Sequence, residues 1–286
     1  MKRIGFIGPG KVGCSLGRYI TESGCGFNVA GYYGRSETAA IEAAAFTDSR
    51  VFESAEELAA ACDLLLLTVP DSQIADVWKD LSQNLRDRNV PLYVGHCSGS
   101  QSSEIFAPKA GCHFGSIHPI LAVHDKATSY KNFTGAYFTI EGDEDFKSIA
   151  SELLTALGNN FDTIDASQKT LYHAASVMVS NLVCALAYDG METFKACGLT
   201  DEFADNAWRS LFLGNAENIG NLGPVLALTG PVERGDAGTV ARHLAVLPGD
   251  AREVYLLLSR TLIETASRKN PDRDYSELLK LLEKSS

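Results

Sequence analysis

The sequence has little that would suit it to a polyanion. Its 25 Lys and Arg face 36 Asp and Glu, a formal net charge of −11. Nucleic acid and anionic membrane surfaces are therefore excluded as partners of the chain as a whole. Any anion it binds must be met by local cations and backbone donors. Metal-binding patterns are missing too. The seven cysteines (Cys14, Cys25, Cys62, Cys97, Cys112, Cys184 and Cys197) make no C-x-x-C pair and no Cys/His set at zinc spacing. That argues against a bound metal and a disulfide framework, and fits reduced thiols in a cytoplasmic protein. An apolar strand is expected right after Met1, which leaves no room for a signal peptide. The most apolar long segment, residues 173–188, is expected to fall short of a membrane span, with Ser180 and Asn181 inside it. G-x-S-x-G does not occur, so no nucleophilic serine is expected. With 45% apolar and 21% charged residues, the chain still has the composition of a protein with a full core.

Against these absences stands residues 4–36, IGFIGPGKVGCSLGRYITESGCGFNVAGYYGRS. A short apolar run leads into Gly8-Pro9-Gly10-Lys11-Val12-Gly13, and an amphipathic run follows. Strand, G-x-G-x-x-G, helix is the order a dinucleotide site requires. Gly8 permits the tight turn, Gly10 lets backbone N–H groups approach a diphosphate, and Gly13 lets helix and sheet pack closely. The helix N-terminus adds donors and a partial positive charge. The second strand should end near the adenosine ribose, where an NAD site places Asp or Glu. Here it ends Tyr33-Gly34-Arg35-Ser36, with no carboxylate. Arg35 and Ser36 suit a 2′-phosphate, so NADP is the expected coenzyme. The plainer alternative makes Arg35 a solvated loop residue and Ser36 a helix cap.

Strand and helix patterns alternate to about residue 165. Residues 63–69 (DLLLLTV) are the apolar run of a strand buried on both faces, and residues 54–57 suit a capping box. A brief strand is expected at Val51-Phe52 and another over residues 112–117. Residues 171–197, 201–219, 240–247, 252–267 and 275–282 read as helices. The fold class expected is α/β: a doubly wound, mainly parallel sheet over residues 1–165, then an all-helical domain over residues 166–286. A ligand cleft is expected between the two, at the carboxyl edge of the sheet.

Residues expected at that edge follow. Val69 and Pro70 end the fourth strand and should border the coenzyme; Asp71 reads as a helix N-cap. Ser98 and Gly99 follow the fifth strand and either meet a ligand or form an ordinary turn. His118, held extended by Pro119, either bonds a substrate or satisfies loop backbone. On the next helix Lys169, His173, Val177 and Ser180 or Asn181 fall on one face. That helix is so apolar that deep burial is expected. Arg234 either clamps a carboxylate or pairs with Glu233 or Asp236.

Through GFIGPGKVG, TVPDSQI, HCSGS, GSIHP, LYHAASVMVSN and LTGPVERGD the sequence resembles the 6-phosphogluconate-dehydrogenase-like superfamily. Within it, the chain is similar to the bacterial family that joins a Rossmann-like domain to a C-terminal domain of unknown function. The resemblance implies NADP binding and a homodimer built through the helical domain. Relatives such as 3-hydroxyisobutyrate dehydrogenases carry a catalytic Lys and an Asn four residues later. Here the residue four after Lys169 is His173, and the residue four before Asn181 is Val177. The reading that follows is an NADP-dependent oxidoreductase acting on a small-molecule carbonyl or imine. His173 passes the proton, Asn181 orients substrate, and Ser98 or His118 assists. The altered Lys/Asn pair leaves open a non-catalytic NADP(H)-binding sensor or assembly protein.

Overall fold

The computed structural model of the chain describes residues 1–86 and 88–285. It divides into two units, Met1–Ser180 and Asn181–Ser286. The first contains β1 (Lys2–Ile7), α1 (Lys11–Ser23), β2 (Phe27–Tyr33), α2 (Glu37–Phe46), β3 (Arg50–Val51), α3 (Ala55–Ala61) and β4 (Leu64–Leu67). After these come α4 (Ile74–Asn84), β5 (Leu92–His96), β6 (Cys112–Pro119), β7 (Tyr137–Gly142), α5 (Glu144–Leu157), β8 (Asn160–Thr163) and α6 (Lys169–Val179).

The strands form one eight-stranded sheet in the order β3-β2-β1-β4-β5-β6-β7-β8. Every neighbouring pair is parallel except β6 with β7. This is the doubly wound sheet that the alternation implied, with two reversed strands at one edge, β7 and β8, that it did not. The parallel run brings the carboxyl ends of β1, β4, β5 and β6 to one edge, where such sheets bind ligands. Leu64, Leu65, Leu66 and Leu67 are fully buried. Leu64 and Leu66 pack with Phe6 and Phe146 on one face, Leu65 and Leu67 with Trp78 and Phe106 on the other. Side chains start three of the covering helices. Ser36, Ser54 and Asp143 accept from the N–H groups of Ala39, Glu57 and Phe146. Each such cap contributes roughly 1 kcal/mol.

Three expectations fail at α6 and the residues that follow it. The helix expected over residues 171–197 is interrupted at Ser180 (φ −126°, ψ −79°), where α6 stops. Only Lys169 of α6 is buried. Leu171, Met178 and Val179 are 70%, 65% and 79% exposed, so apolarity there does not mean burial within the chain. The helical run Ala166–Ala196 is also long and apolar enough, by length and composition, to cross a membrane. The remaining differences are small: β3 covers Arg50–Val51, and β6 runs on to Pro119.

Among its described residues the second unit is helical throughout: α7 (Asn181–Ala196), α8 (Asp201–Ala227), α9 (Pro231–Arg234), α10 (Ala237–Val246), α11 (Gly249–Lys269) and α12 (Ser276–Lys284). It has its own core of Val232, Val240, Leu244, Leu256, Ile263 and Leu278. α8 passes the expected end at residue 219 and kinks at Gly223 (φ 77°), just before Pro224. Arg234 is exposed, and the acids expected to pair with it are otherwise engaged. Glu233 accepts from Asn270 at 2.7 Å and Arg273 at 3.1 Å, and Asp236 caps α10 through the N–H of Thr239.

Candidate functional site

The glycine turn is built from both sides. The Gly8 N–H donates to the Tyr33 carbonyl at 2.9 Å, and Gly8 has φ +104°. A Cβ there would stand 2.8 Å from the Thr68 carbonyl oxygen and 2.9 Å from Val69 Cγ1. At Gly13 a Cβ would stand 2.5 Å from Thr68 Oγ1 and 2.7 Å from the Gly8 carbonyl. Thr68 Oγ1 donates to that same carbonyl at 2.7 Å, locking the end of β4 to the turn. Gly10 differs: the nearest atom to a Cβ there is 3.8 Å away. It is the N-cap of α1, no side chain caps it, and the first turn holds no acid. Backbone donors at that terminus are thus left to meet an anion. Pro9 packs on Gly34, where a Cβ would lie 2.4 Å from Pro9 Cδ; Lys11 is exposed and Val12 half-buried. Pro70 is exposed beyond Val69.

At the end of β2, Arg35 is exposed and its guanidinium donates to Gln73 Oε1 at 3.0 Å. Ser36 caps α2. The hydroxyl of Tyr32 is fully buried, donates to the Gly13 carbonyl at 3.2 Å, and is pushed well above the usual phenol range by burial. An open helix terminus with a planar cation at the neighbouring strand end fits a phosphorylated dinucleotide.

A second cluster gathers at the ends of β5 and β6, on β7 and on α6. Asp71 is not the N-cap expected of it. It lies in a short 3-10 turn, Asp71–Gln73, and its carboxylate accepts from Ser98 Oγ at 2.5 Å and Ser100 Oγ at 3.2 Å. Ser98 Oγ accepts from the N–H groups of Ser100 (3.2 Å) and Gln101 (3.1 Å). His96 is fully buried; its Nδ1 accepts from the Ser98 N–H at 3.2 Å, which leaves Nε2 to donate to the Ser102 carbonyl at 3.4 Å. Burial first, and then the Lys169 charge, bring His96 down to about 4.

Lys169 is 1% exposed and Glu141 3%. The lysine ammonium donates to the Ser98 carbonyl at 2.9 Å and to Ser116 Oγ at 2.8 Å. Ser116 donates onward to Glu141 at 3.1 Å, and Ser103 adds its N–H at 2.9 Å and its hydroxyl at 2.6 Å. All of these bonds donate to Glu141, the arrangement that suits a carboxylate. Burial pushes Lys169 below its ordinary value, opposed first by Glu141 and then by Cys97 and Asp71. β6 pairs with β7 so that Ser116 faces Glu141, and this register makes the bridge possible.

His118 Nδ1 lies 2.7 Å from the Tyr172 hydroxyl. Burial, followed by the charges of Lys169 and His173, holds His118 at about 4, and burial raises Tyr172. The phenol therefore keeps its proton. When it donates to Nδ1, His118 Nε2 holds the ring proton. Gly99 sits between two imidazoles: a Cβ there would be 2.8 Å from His118 Nε2 and 2.6 Å from His173 Cδ2.

Ser98, His118 and His173 are thus brought together. Asn181 begins the second unit, and the break at Ser180 ends the helical spacing that related it to His173. Sequence reasoning overlooked Glu141, Ser116 and His96, and took Asp71 for a cap. One signal was present: an acid at the end of the apolar strand GAYFTIE, on the same face as Thr139.

Residues 1–119 match a Rossmann-like domain, and residues 136–262 match DUF2520, a domain of unknown function. No curated protein matches the sequence. Among solved structures, a protein from Thermotoga maritima is 27% identical, over 93% of this chain and 99% of that one, with a TM-score of 0.73. A protein from Bacteroides fragilis, provisionally assigned as an NADP oxidoreductase, is 22% identical over 92% and 98%, with a TM-score of 0.72. The pyrroline carboxylate reductase of Plasmodium falciparum, solved with NADP bound, is 16% identical over 99% and 97%, with a TM-score of 0.55. These likenesses agree with the fold described above.

Proposed function

From the pairing of a Rossmann-like domain with DUF2520, we propose that this chain is an NADP-dependent oxidoreductase. It moves a hydride between NADP(H) and the carbonyl or imine carbon of a small-molecule substrate. The observation that carries the reading is the uncapped N-terminus of α1, open at Gly10, beside an exposed Arg35 where an NAD site would hold an acid. The relatives named as NADP proteins lend it support.

Backbone donors of residues 8–13 hold the diphosphate, with Pro9, Lys11 and Val12 around them. Arg35 and Ser36 hold the 2′-phosphate, and Val69 and Pro70 form the apolar border. NADPH bound there supplies the hydride. The chain's own residues manage the proton. His118, neutral above about pH 4, gives its Nε2 proton to a substrate oxygen or nitrogen as the Tyr172 hydroxyl passes its own proton to Nδ1, so the imidazole stays neutral and the proton lost is the phenol's. Solvent restores the proton of the half-buried Tyr172, and His173, half-exposed across Gly99, lines the site. Lys169 holds the Ser98 carbonyl in place, and Asp71 holds its hydroxyl.

A homodimer belongs to the same reading. The exposed apolar side chains Leu171, Met178 and Val179 on α6, Leu182 and Leu186 on α7, and Leu211 on α8 suit cover by a second copy. Burial of Lys169 against β-sheet residues ties the start of the run Ala166–Ala196 to the sheet, which favours that cover over a membrane.

One observation favours the non-catalytic alternative. The one lysine of α6, Lys169, already gives its ammonium to Ser98 and Ser116, and no Asn stands four residues after it. A panel of small aldehydes, ketones and cyclic imines, followed by loss of NADPH absorbance, separates the two. Turnover of any member supports the enzyme. Tight NADPH binding with no turnover across the panel supports the sensor.

A further inference from the structure

The Asp71–Gln73 turn touches Arg35 of the proposed coenzyme site and Ser98 of the second cluster. Gln73 occupies the N-cap position of α4 but makes no side-chain cap bond. Its Oε1 accepts instead from Arg35 at 3.0 Å. Two residues earlier, Asp71 accepts from Ser98 Oγ at 2.5 Å. The turn between them is short and internally bonded. The Gln73 N–H donates to the Pro70 carbonyl at 2.8 Å, and the Ile74 N–H donates to the Asp71 carbonyl. Ile74, 1% exposed, anchors the turn in the core.

We infer that this turn links recognition of the 2′-phosphate to the order of the Ser98–Gly99 loop. Gln73 is the residue that orients Arg35, and Asp71 carries the constraint to Ser98. The inference rests on the NADP reading above. A guanidinium has five N–H donors in a fixed fork. One bond to Gln73 sets the plane of that fork and leaves the other donors for a phosphate, which they meet in bidentate fashion. Capture of the phosphate fixes Arg35 and, through it, Gln73. A three-residue turn held by two backbone bonds then has little freedom left, and Asp71 holds Ser98 more tightly. NADH lacks the phosphate, fills the glycine turn equally well, and leaves Arg35 and Gln73 mobile. Gln73 is thus a positioning and specificity-determining residue.

The test uses the full chain, with NADPH and NADH at saturation, and reads amide hydrogen exchange alongside affinity. In the unmodified chain, NADPH is expected to slow exchange at residues 98–101 more than NADH does, while both slow it equally at residues 8–13. Gln73→Ala is expected to abolish the difference at residues 98–101 and to weaken NADPH by about two- to tenfold, the effect of losing one pre-ordered side chain, with NADH unchanged. Gln73→Glu is expected to weaken NADPH further, because its carboxylate competes for Arg35. Equal protection of residues 98–101 by the two coenzymes, or an unaltered NADPH affinity in Gln73→Ala, would overturn the link. If neither coenzyme protects residues 8–13, the NADP reading itself falls, and the link falls with it.

Discussion

Replacing Lys169 with Met tests whether Lys169 and Glu141 act as one buried charge pair bridged by Ser116. Met keeps the length and apolar bulk of the side chain but removes the charge and both donors. Glu141, 3% exposed, then loses the balancing ammonium beyond Ser116, and the Ser98 carbonyl loses its donor. Breaking a buried pair from one side costs about 3–5 kcal/mol. Each kcal/mol lowers Tm by roughly 2–4 °C in a chain of this size, so the drop in Lys169→Met should be about 6–20 °C. Glu141→Gln should destabilise as well. The double variant Lys169→Met/Glu141→Gln should lie above the sum of the single losses by roughly 0.5–3 kcal/mol, because no lone charge remains. Urea denaturation of the four proteins measures this directly. The loss should persist in 1 M salt, since a buried pair is poorly screened. Additivity of the two single losses, or a Lys169→Met loss below about 1 kcal/mol, would refute the pairing.

Four further outcomes follow from the geometry. His96 and His118 are both held at about 4, below the ordinary imidazole value of 6.5. Between those values the unfolded chain takes up protons that the folded chain refuses. Stability should be full above pH 6.5 and fall as the pH drops toward 4, by about 3 kcal/mol per histidine. Denaturation midpoints that stay flat over that window would contradict the burial argument. Gly10→Ala should leave Tm unchanged, since its Cβ meets nothing nearer than 3.8 Å, yet abolish most NADPH binding by filling the approach to the diphosphate. Gly13→Ala should fail on both counts, because its Cβ would press on the Gly8 carbonyl and Thr68. For any substrate found, Tyr172→Phe should lower kcat about 10²-fold or more while the NADPH Kd stays put; an unaffected kcat removes Tyr172 from the proton path.

What could be read in the sequence was what local chain chemistry decides. Gly8, Gly10 and Gly13 each have a separate steric reason, and Leu64–Leu67 announces its own burial. The cap residues Ser36 and Ser54 also sit where their type puts them. Side chains that answer to distant partners stayed hidden. Asp71 follows a proline before a helix, the pattern of a cap, and only the arrival of Ser98 from the next strand gives it another role. Glu141 and Ser116 meet because β7 runs against β6, and no periodicity in either segment states that reversal. Lys169 was visible as a lone cation on an apolar helix. Its partners lie on β6 and on the loop after β5, out of reach of any helical spacing rule. α6 misled in the opposite sense: its apolar side chains remain exposed in the single chain, so composition described a surface that was mistaken for a core.

The central claim is that the open glycine turn and Arg35 together hold a 2′-phosphorylated adenine dinucleotide. Fluorescence titration with NADPH and with NADH, on the unmodified chain and on Arg35→Glu, tests it most directly. NADPH should bind the unmodified chain more tightly, and Arg35→Glu should weaken it by about 10- to 100-fold, the worth of a charge-assisted hydrogen bond, with NADH almost unaffected. No binding of either coenzyme, or an unchanged preference in Arg35→Glu, would contradict the account.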